Sequence, residues 1–494
     1  MLEKKTRTDS AAGIPSEFPY FILLIAAAFI VSMQSPLHPW TQGYSGTDSS
    51  VFRYIALVME KGGMPYADTF DHKGPLLYVI NYLGSRISYR HGIWLIEFLF
   101  IWLTLLLMYK TAKLRCSSAV SCALTLCSFY LIAAYFEGGN YTEEYAMPFL
   151  AAAAYIFLDY LIHTRISRLR LMACGFCFGA VFMLRANMIA LWIVFCLAVL
   201  IQSIVRDKRV PWDYLLYFLA GALLLVLPLA LWLISQNAWQ DFINDYILFN
   251  LKYSSWEKRA TLYNRCLSVL KWLAGSVCFL SFLCLLRLIQ KKKDVFLNVT
   301  YFLYEALSIC LLALSGRRYG HYGMALLPVF IYPISSFASY IKEEKISRTA
   351  ALLFAAALLV PAVPLWTGLS VNALQSFGGL DQTKGTEDQM EEVTAAVIEN
   401  TSENDPIQVI GNYDIVYVES RRLAASAYSY QLPVSQVDDR IRKEFITDLE
   451  TQMPKIVVVQ ENGKKKTERL FPTKDRYELL LETDEKTAVY RFKE

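Results

Sequence analysis

Long apolar runs constrain this chain more than any other feature. Runs of roughly 18 or more apolar residues can cross about 30 Å of hydrocarbon as a helix. Ten clear runs lie near 19–33, 93–109, 117–135, 145–162, 188–205, 214–234, 267–288, 295–314, 323–341 and 349–367. A shorter one, 171–184, ends at Arg185. Of 494 residues, 55% are hydrophobic and 19% charged, and the mean hydropathy is +0.33, well off the soluble average. The expectation is a polytopic α-helical membrane protein with about eleven transmembrane helices.

Basic residues orient the spans, because short loops rich in Lys and Arg stay cytoplasmic. Lys4, Lys5 and Arg7 precede the first span. Every second connection is then basic: Lys110 to Arg115, Arg165 to Arg170, Arg206 to Arg209, Arg287 to Lys293, and Lys342 to Arg348. That alternation predicts a cytoplasmic N-terminus. It places 34–92, 135–144, 235–266, 315–322 and the tail outside. No cleavable signal is evident, so the first span is expected to stay as an anchor. The net charge of +4 is mostly this topology signal, and no basic–aromatic patch points to nucleic acid.

The ten cysteines are not arranged as a disulfide framework. Nine lie in spans or at their inner ends, Cys266 sits at an outer edge, and the tail has none. Cys174 and Cys177 form a C-x-x-C inside lipid with no second pair, so packing is their expected role. The outside portion is expected to fold without disulfides.

Hydrophobicity drops near residue 370, which divides the chain into a membrane domain, 1–369, and a tail domain, 370–494. A polar linker carries Gly378, Gly379, Asp381, Gln382, Lys384 and Gly385. Helical patterns at 388–399 and 438–452 alternate with strand-like Ile407 to Ile410, Ile456 to Val459 and Ala488 to Phe492. That order predicts a small α/β domain. Gly411 to Asp414 follow a strand, either as a plain turn or at the strand end where open sheets bind ligands.

The outside loops carry the chemistry. Asp48 precedes a helical pattern at Val51, Ile55, Val58 and Met59. Either Asp48 or Ser49 caps that helix, or Asp48 serves as a general base, and a helix start favours its carboxylate's charge in either role. Gly62 and Gly63 close this helix, which is too short to span and is expected along the interface. Asp68 reads as a turn residue. Asp71, His72 and Lys73 run into Gly74 and Pro75, and Pro suits a helix's first turn. His72 and Lys73 therefore flank a helix N-terminus, where anions bind readily. In the second loop, Glu143 and Glu144 either start a helix or orient an acceptor or hold a cation. Asn140-Tyr-Thr also matches a glycosylation sequon, a pattern common by chance. Arg317, Arg318 and His321, followed by Tyr322, put two arginines and a histidine outside against the positive-inside bias, and Arg185 ends another outside edge. Snorkelling explains one such arginine. A phosphate headgroup explains the set, since Arg offers a bidentate fork. Carboxylates facing cations at a membrane surface suit transfer of a group from a phosphate-bearing lipid.

These motifs resemble the bacterial class C (GT-C) glycosyltransferases, of the protein-mannosyltransferase-like and aminoarabinose-transferase-like kind. The resemblance rests on Gly46-Thr-Asp48-Ser-Ser-Val-Phe and Pro65-Tyr-x-Asp-x-Phe-Asp71-His-Lys-Gly-Pro75. It continues through Gly139-Asn-x-Thr-Glu-Glu144, Leu184-Arg-x-Asn187 and Arg317-x-Tyr-x-His-Tyr322, and it covers the whole chain. It implies the GT-C fold with an extracytoplasmic α/β tail, in the bacterial plasma membrane. Asp48 would be the catalytic carboxylate, and Lys73 with Pro75 would match a Lys-Pro-Pro-type element. Lys73, His72, Arg185, Arg317, Arg318, His321 and Tyr322 would bind the donor phosphate. Asp71, Glu143, Glu144 and Asn140 would serve the acceptor or support the site. The donor would be a polyprenyl-phosphate sugar, not a nucleotide sugar, in keeping with the absence of Asp-x-Asp from the loop. The acceptor would be an envelope glycan, polymer or protein. Many relatives carry Asp-Glu where this chain has Asp48-Ser49, which removes a second carboxylate there. No cofactor is specified, and a divalent cation is left open. A transporter or flippase is the alternative class. It should show ionisable residues at mid-span or paired broken helices, whereas the charges here cluster at span ends.

Overall fold

The computed structural model describes residues 17–41, 43–256, 261–273, 277–314, 319–378, 384–432 and 434–493. Within these residues, all eleven apolar runs are helical. Seven helices are long and apolar enough to cross a membrane by themselves: Gly92–Ala112, Ser118–Tyr135, Thr142–His163, Ala190–Asp207, Trp212–Ser235, Val295–Ala313 and Arg348–Phe377. Gly320–Val329 and Ile331–Glu343 form an eighth when taken as one span bent by 43°. The first of that pair is a tight 3-10 helix containing Pro328, and both features break α-helical continuity. Shorter helices, Phe18–Ser32, Arg168–Leu184 and Cys278–Gln290, fill the remaining runs.

The connections gather at two ends. Lys113 pairs with Glu17, Arg115 with Asp294 at 2.5 Å, and Lys293 with Glu344 at 2.6 Å, joining basic connections at one end. Lys4, Lys5 and Arg7 lie outside the described residues. The loops carrying Asp48, Asn140, Arg185 and His321 meet at the other end. The alternation of basic loops is thus a physical separation of the two ends.

Two short helices, Thr47–Glu60 and Pro75–Ile87, lie between the first span and Gly92. Each is roughly 20 Å long at 1.5 Å per residue, too short to span. Gly46, not Asp48 or Ser49, occupies the N-cap of the first, and Asp48 stands in its first turn. This helix does not lie open on the membrane surface. Its Val51, Phe52 and Ile55 join the core that runs through the membrane helices, while Tyr54, Leu57 and Val58 join the core of the tail. Two apolar stripes on one helix leave Ser49 to Val58 buried throughout.

Arg348–Phe377 continues past residue 370, and of the polar stretch after it, residues 379–383 lie outside the described residues. Beyond them come the helix Lys384–Glu399 and four strands: β1 Ile407–Ile410, β2 Ile456–Val459, β3 Tyr477–Glu482 and β4 Ala488–Phe492. The sheet order is β1-β2-β4-β3, with β1 and β2 parallel and the other pairs antiparallel. β1 and β2 are buried along their whole length, as their unbroken apolar pattern requires. β3 is absent from the sequence reading. It is an edge strand with Leu479 half-exposed, so its pattern lacks a strong apolar signal.

Candidate functional site

The connection after the first span, the connection carrying Asn140 and the tail converge where the Thr47–Glu60 helix begins. Asp48 is half-exposed at the positive end of that helix's dipole. Its side chain makes no hydrogen bond or ion pair among the described residues. Its charge reaches His72, Tyr141, Asp414 and Tyr430, which places it at the centre of the junction.

Asp71, His72 and Lys73 form one connected group. Asp71 Oδ1 lies 3.2 Å from His72 Nδ1, and His72 Nε2 lies 3.2 Å from Lys73 Nζ. The Tyr78 hydroxyl donates to Asp71 Oδ2 at 2.9 Å, and the Tyr430 hydroxyl donates to Oδ1 at 2.8 Å. Burial alone would raise the Asp71 carboxyl. The His72 hydrogen bond and the Lys73 charge outweigh it and hold the group below the usual carboxylate range. Burial, then the Lys73 charge, push the His72 imidazole down against the pull of Asp71, so it is neutral at pH 7. Asp71 then fixes the proton on Nδ1, which leaves Nε2 to accept from the Lys73 ammonium. Lys73 makes no ion pair among the described residues.

Gly74 sets the position of this group. Its N–H donates to Leu184 O at 3.1 Å, and a Cβ there would sit 2.0 Å from Met183 O. Only glycine lets the start of Pro75–Ile87 dock against the end of Arg168–Leu184, beside Arg185.

The connection carrying Asn140 braces the one carrying Asp48. Asn140 is fully buried. Its Nδ2 donates to Ser49 Oγ at 2.8 Å and to Asn81 Oδ1 at 2.9 Å, while its Oδ1 accepts from Asn81 and Tyr145. Its N–H donates to Glu144 Oε2 at 2.8 Å. The sequon is therefore closed to glycosylation, and Asn140 ties down the residue next to Asp48. Glu143 pairs with Arg185, whose guanidinium lies 4.1 Å from the Tyr322 ring centroid. Glu137 accepts from His321 Nδ1 at 2.8 Å and from the Gly320 N–H at 3.0 Å. The His321 ring stacks on Tyr141 with centroids 4.0 Å apart.

The sequence-predicted residues thus fall into two groups. Asp71, His72 and Lys73 stand together, with Asp48 in electrostatic reach. Arg185, Glu143, His321, Tyr322, Asn140 and Glu144 form the adjoining wall, where Arg185 and His321 already have carboxylate partners. Arg317 and Arg318 lie outside the described residues. Sequence reasoning missed Glu137, Asn81, Tyr78, Tyr141 and Tyr430. Glu137 alone had a local signal, since it opens the Gly-Gly-Asn turn. Among the described residues, no group of three or more His, Cys, Asp or Glu side chains is spaced to hold a metal ion.

Residues 11–352 match the family model described as "Putative competence-induced protein Ccs4 N-terminal domain". The chain belongs to this Ccs4 family. No curated protein matches the sequence. The fold of this Ccs4 family member is similar to that of ArnT from Cupriavidus metallidurans, in a crystal structure with bound undecaprenyl phosphate. The TM-score is 0.61 at 12% identity, covering 96% of this chain and 98% of that one. It is also similar to the Archaeoglobus fulgidus oligosaccharyltransferase in complex with Zn and sulfate, with TM-score 0.53, 14% identity, and coverage of 95% and 73%. The same archaeal enzyme with an inhibitory peptide and a dolichol-phosphate gives TM-score 0.52 at 14% identity, covering 97% of this chain and 74% of that one. The chain is a multi-pass membrane protein with the GT-C fold, as its motifs led us to expect.

Proposed function

We propose that this Ccs4 family member is a membrane glycosyltransferase that moves a sugar from a polyprenyl-phosphate donor to an acceptor hydroxyl outside the plasma membrane. One observation carries the reading. Asp48, at a helix start and without a hydrogen bond or ion pair among the described residues, lies in electrostatic reach of His72, which contacts Lys73, on a fold whose similar structures hold lipid phosphates. Asp48 takes the acceptor's proton as its oxygen attacks the anomeric carbon. The bond from that carbon to the phosphate oxygen breaks, and its electron pair leaves with the polyprenyl phosphate. Lys73 neutralises the growing phosphate charge, a role worth most where water is excluded. Arg185, His321 and Tyr322 line the same side, and Arg317 and Arg318 come just before His321 in the sequence. Asn140, Glu143 and Glu144 hold the wall, and Asp71 supports Lys73. The acceptor class is an envelope glycan, polymer or protein, and a divalent cation would be an addition to the residues described.

Mass spectrometry of envelope glycans from cells with and without the gene tests this reading. Loss of one glycan species, restored by the parent and not by Asp48→Asn, is the expected result. Identical glycan profiles with and without the gene would sink it.

A further inference from the structure

One of the segments by which the tail meets the membrane domain is 424–431, and that segment is held from both sides. On the tail side, Gln431 Nε2 donates to Val409 O at 3.0 Å and to Tyr428 O at 2.9 Å, and its Oε1 accepts from the Gly411 N–H at 3.0 Å. These bonds fill the end of β1 with the chain's own side chains, so Gly411 to Asp414 are not an open ligand crevice. On the membrane side, the Phe70 N–H donates to Ala427 O at 2.8 Å, and the Ala424 N–H donates to the Tyr54 hydroxyl at 3.0 Å. Tyr430 projects between these anchors into the first loop. It is 7% exposed, its hydroxyl is 2.8 Å from Asp71 Oδ1, and it is 3.3 Å from His72 Nδ1.

This contact bears on Lys73. A buried carboxylate two residues from a lysine is a ready ion-pair partner for it, and such a pair would withdraw the ammonium from any ligand. Here Tyr78 occupies Oδ2, while Tyr430 and the His72 imidazole share Oδ1. The carboxylate is satisfied without Lys73, and the imidazole it orients stands next to the ammonium. We propose that Tyr430 is a positioning residue that acts through Asp71 and His72 to keep Lys73 available to the donor's phosphate. The tail is then a working part of the membrane site. This rests on the donor reading above and extends it to a residue far away in sequence.

The test is binding of a polyprenyl phosphate to purified full-length protein in detergent. Parent, Tyr430→Phe, Asp71→Asn, the double variant and Tyr428→Phe are compared, with thermal unfolding recorded for each. Tyr430→Phe keeps the buried ring and removes only the hydroxyl. It should weaken binding by roughly tenfold, the scale of one lost hydrogen bond to a charged group. In the Asp71→Asn background the same change should add nothing, since the two act as one unit. Tyr428 packs on Phe70 with its hydroxyl on Glu444, so Tyr428→Phe perturbs the same docking segment without touching Asp71 and should bind like the parent. Parent-like binding by Tyr430→Phe overturns the proposal. So does an additive loss in the double variant, or an equal loss in Tyr428→Phe, because the effect would then be general docking. A parent that binds no polyprenyl phosphate overturns the donor reading itself, a distinct outcome.

Discussion

Asn140 shows how one side chain can be fixed by its backbone. Glu137, Gly138, Gly139 and Asn140 have φ values of 47°, 89°, 79° and 63°, four successive residues in the left-handed region. Asparagine tolerates that region better than most residues, and the turn aims its amide at Ser49 and Asn81. Asn140→Ala would lose those bonds and strain the turn, and we expect a loss of roughly 2–4 kcal/mol in stability. Thermal unfolding in detergent checks this, and an unchanged melting temperature would mean that the network does not hold the loop. Asp48 and Lys73 were legible in the sequence because ionisable residues beside an apolar span need a reason. Tyr430 was not, because Ala-Tyr-Ser-Tyr-Gln has no pattern of its own. The role proposed for it rests on a bond to Asp71, 359 residues away in the sequence.

The Thr47–Glu60 helix does at the scale of an element what Asn140 does at the scale of a residue. Its periodicity announced a helix, but not that both flanks would be covered, because the second cover comes from the tail. Leu57 is 1% exposed in the tail's core, so Leu57→Ala should destabilise docking by roughly 2–5 kcal/mol. Limited proteolysis between residues 378 and 385 reads this, with faster cleavage expected and unchanged cleavage contradicting it. The same junction buries Asp414 without an ion-pair partner among the described residues. Burial pushes its carboxyl from 3.8 up to about 7, with the charges of Asp71 and Asp48 adding and the Ser429 hydroxyl opposing. Burial raises Asp245 to about 7 as well, against the pull of Arg440. The folded state therefore binds these protons more tightly than the unfolded chain. Their stability is full below about pH 4 and is lost as pH rises through about 7. Melting temperature should fall from about pH 5 to about pH 8, and Asp414→Asn should flatten that fall. An equally steep fall in the variant would remove Asp414 from the account.

For the whole molecule, the apolar runs and alternating basic loops gave the architecture because a bilayer permits few alternatives. The bend between Val329 and Ile331 was hidden, since it comes from a 3-10 stretch that is as apolar as a straight helix. The meeting of four loops at one end was only implied by parity, and their hydrogen bonds could not be read from spacing. A reporter fused after Glu494 should be active outside, and one inserted at 341–349 should report inside. The reverse pattern would move every residue of the proposed site to the cytoplasm. The most direct test of the central claim is turnover of a polyprenyl-phosphate sugar by purified protein, supplied with envelope extract and read as release of the polyprenyl phosphate. The parent should release it, and Asp48→Asn should bind the donor normally while release falls by roughly 10²–10⁴-fold. Parent-like release by a folded Asp48→Asn variant would contradict the account.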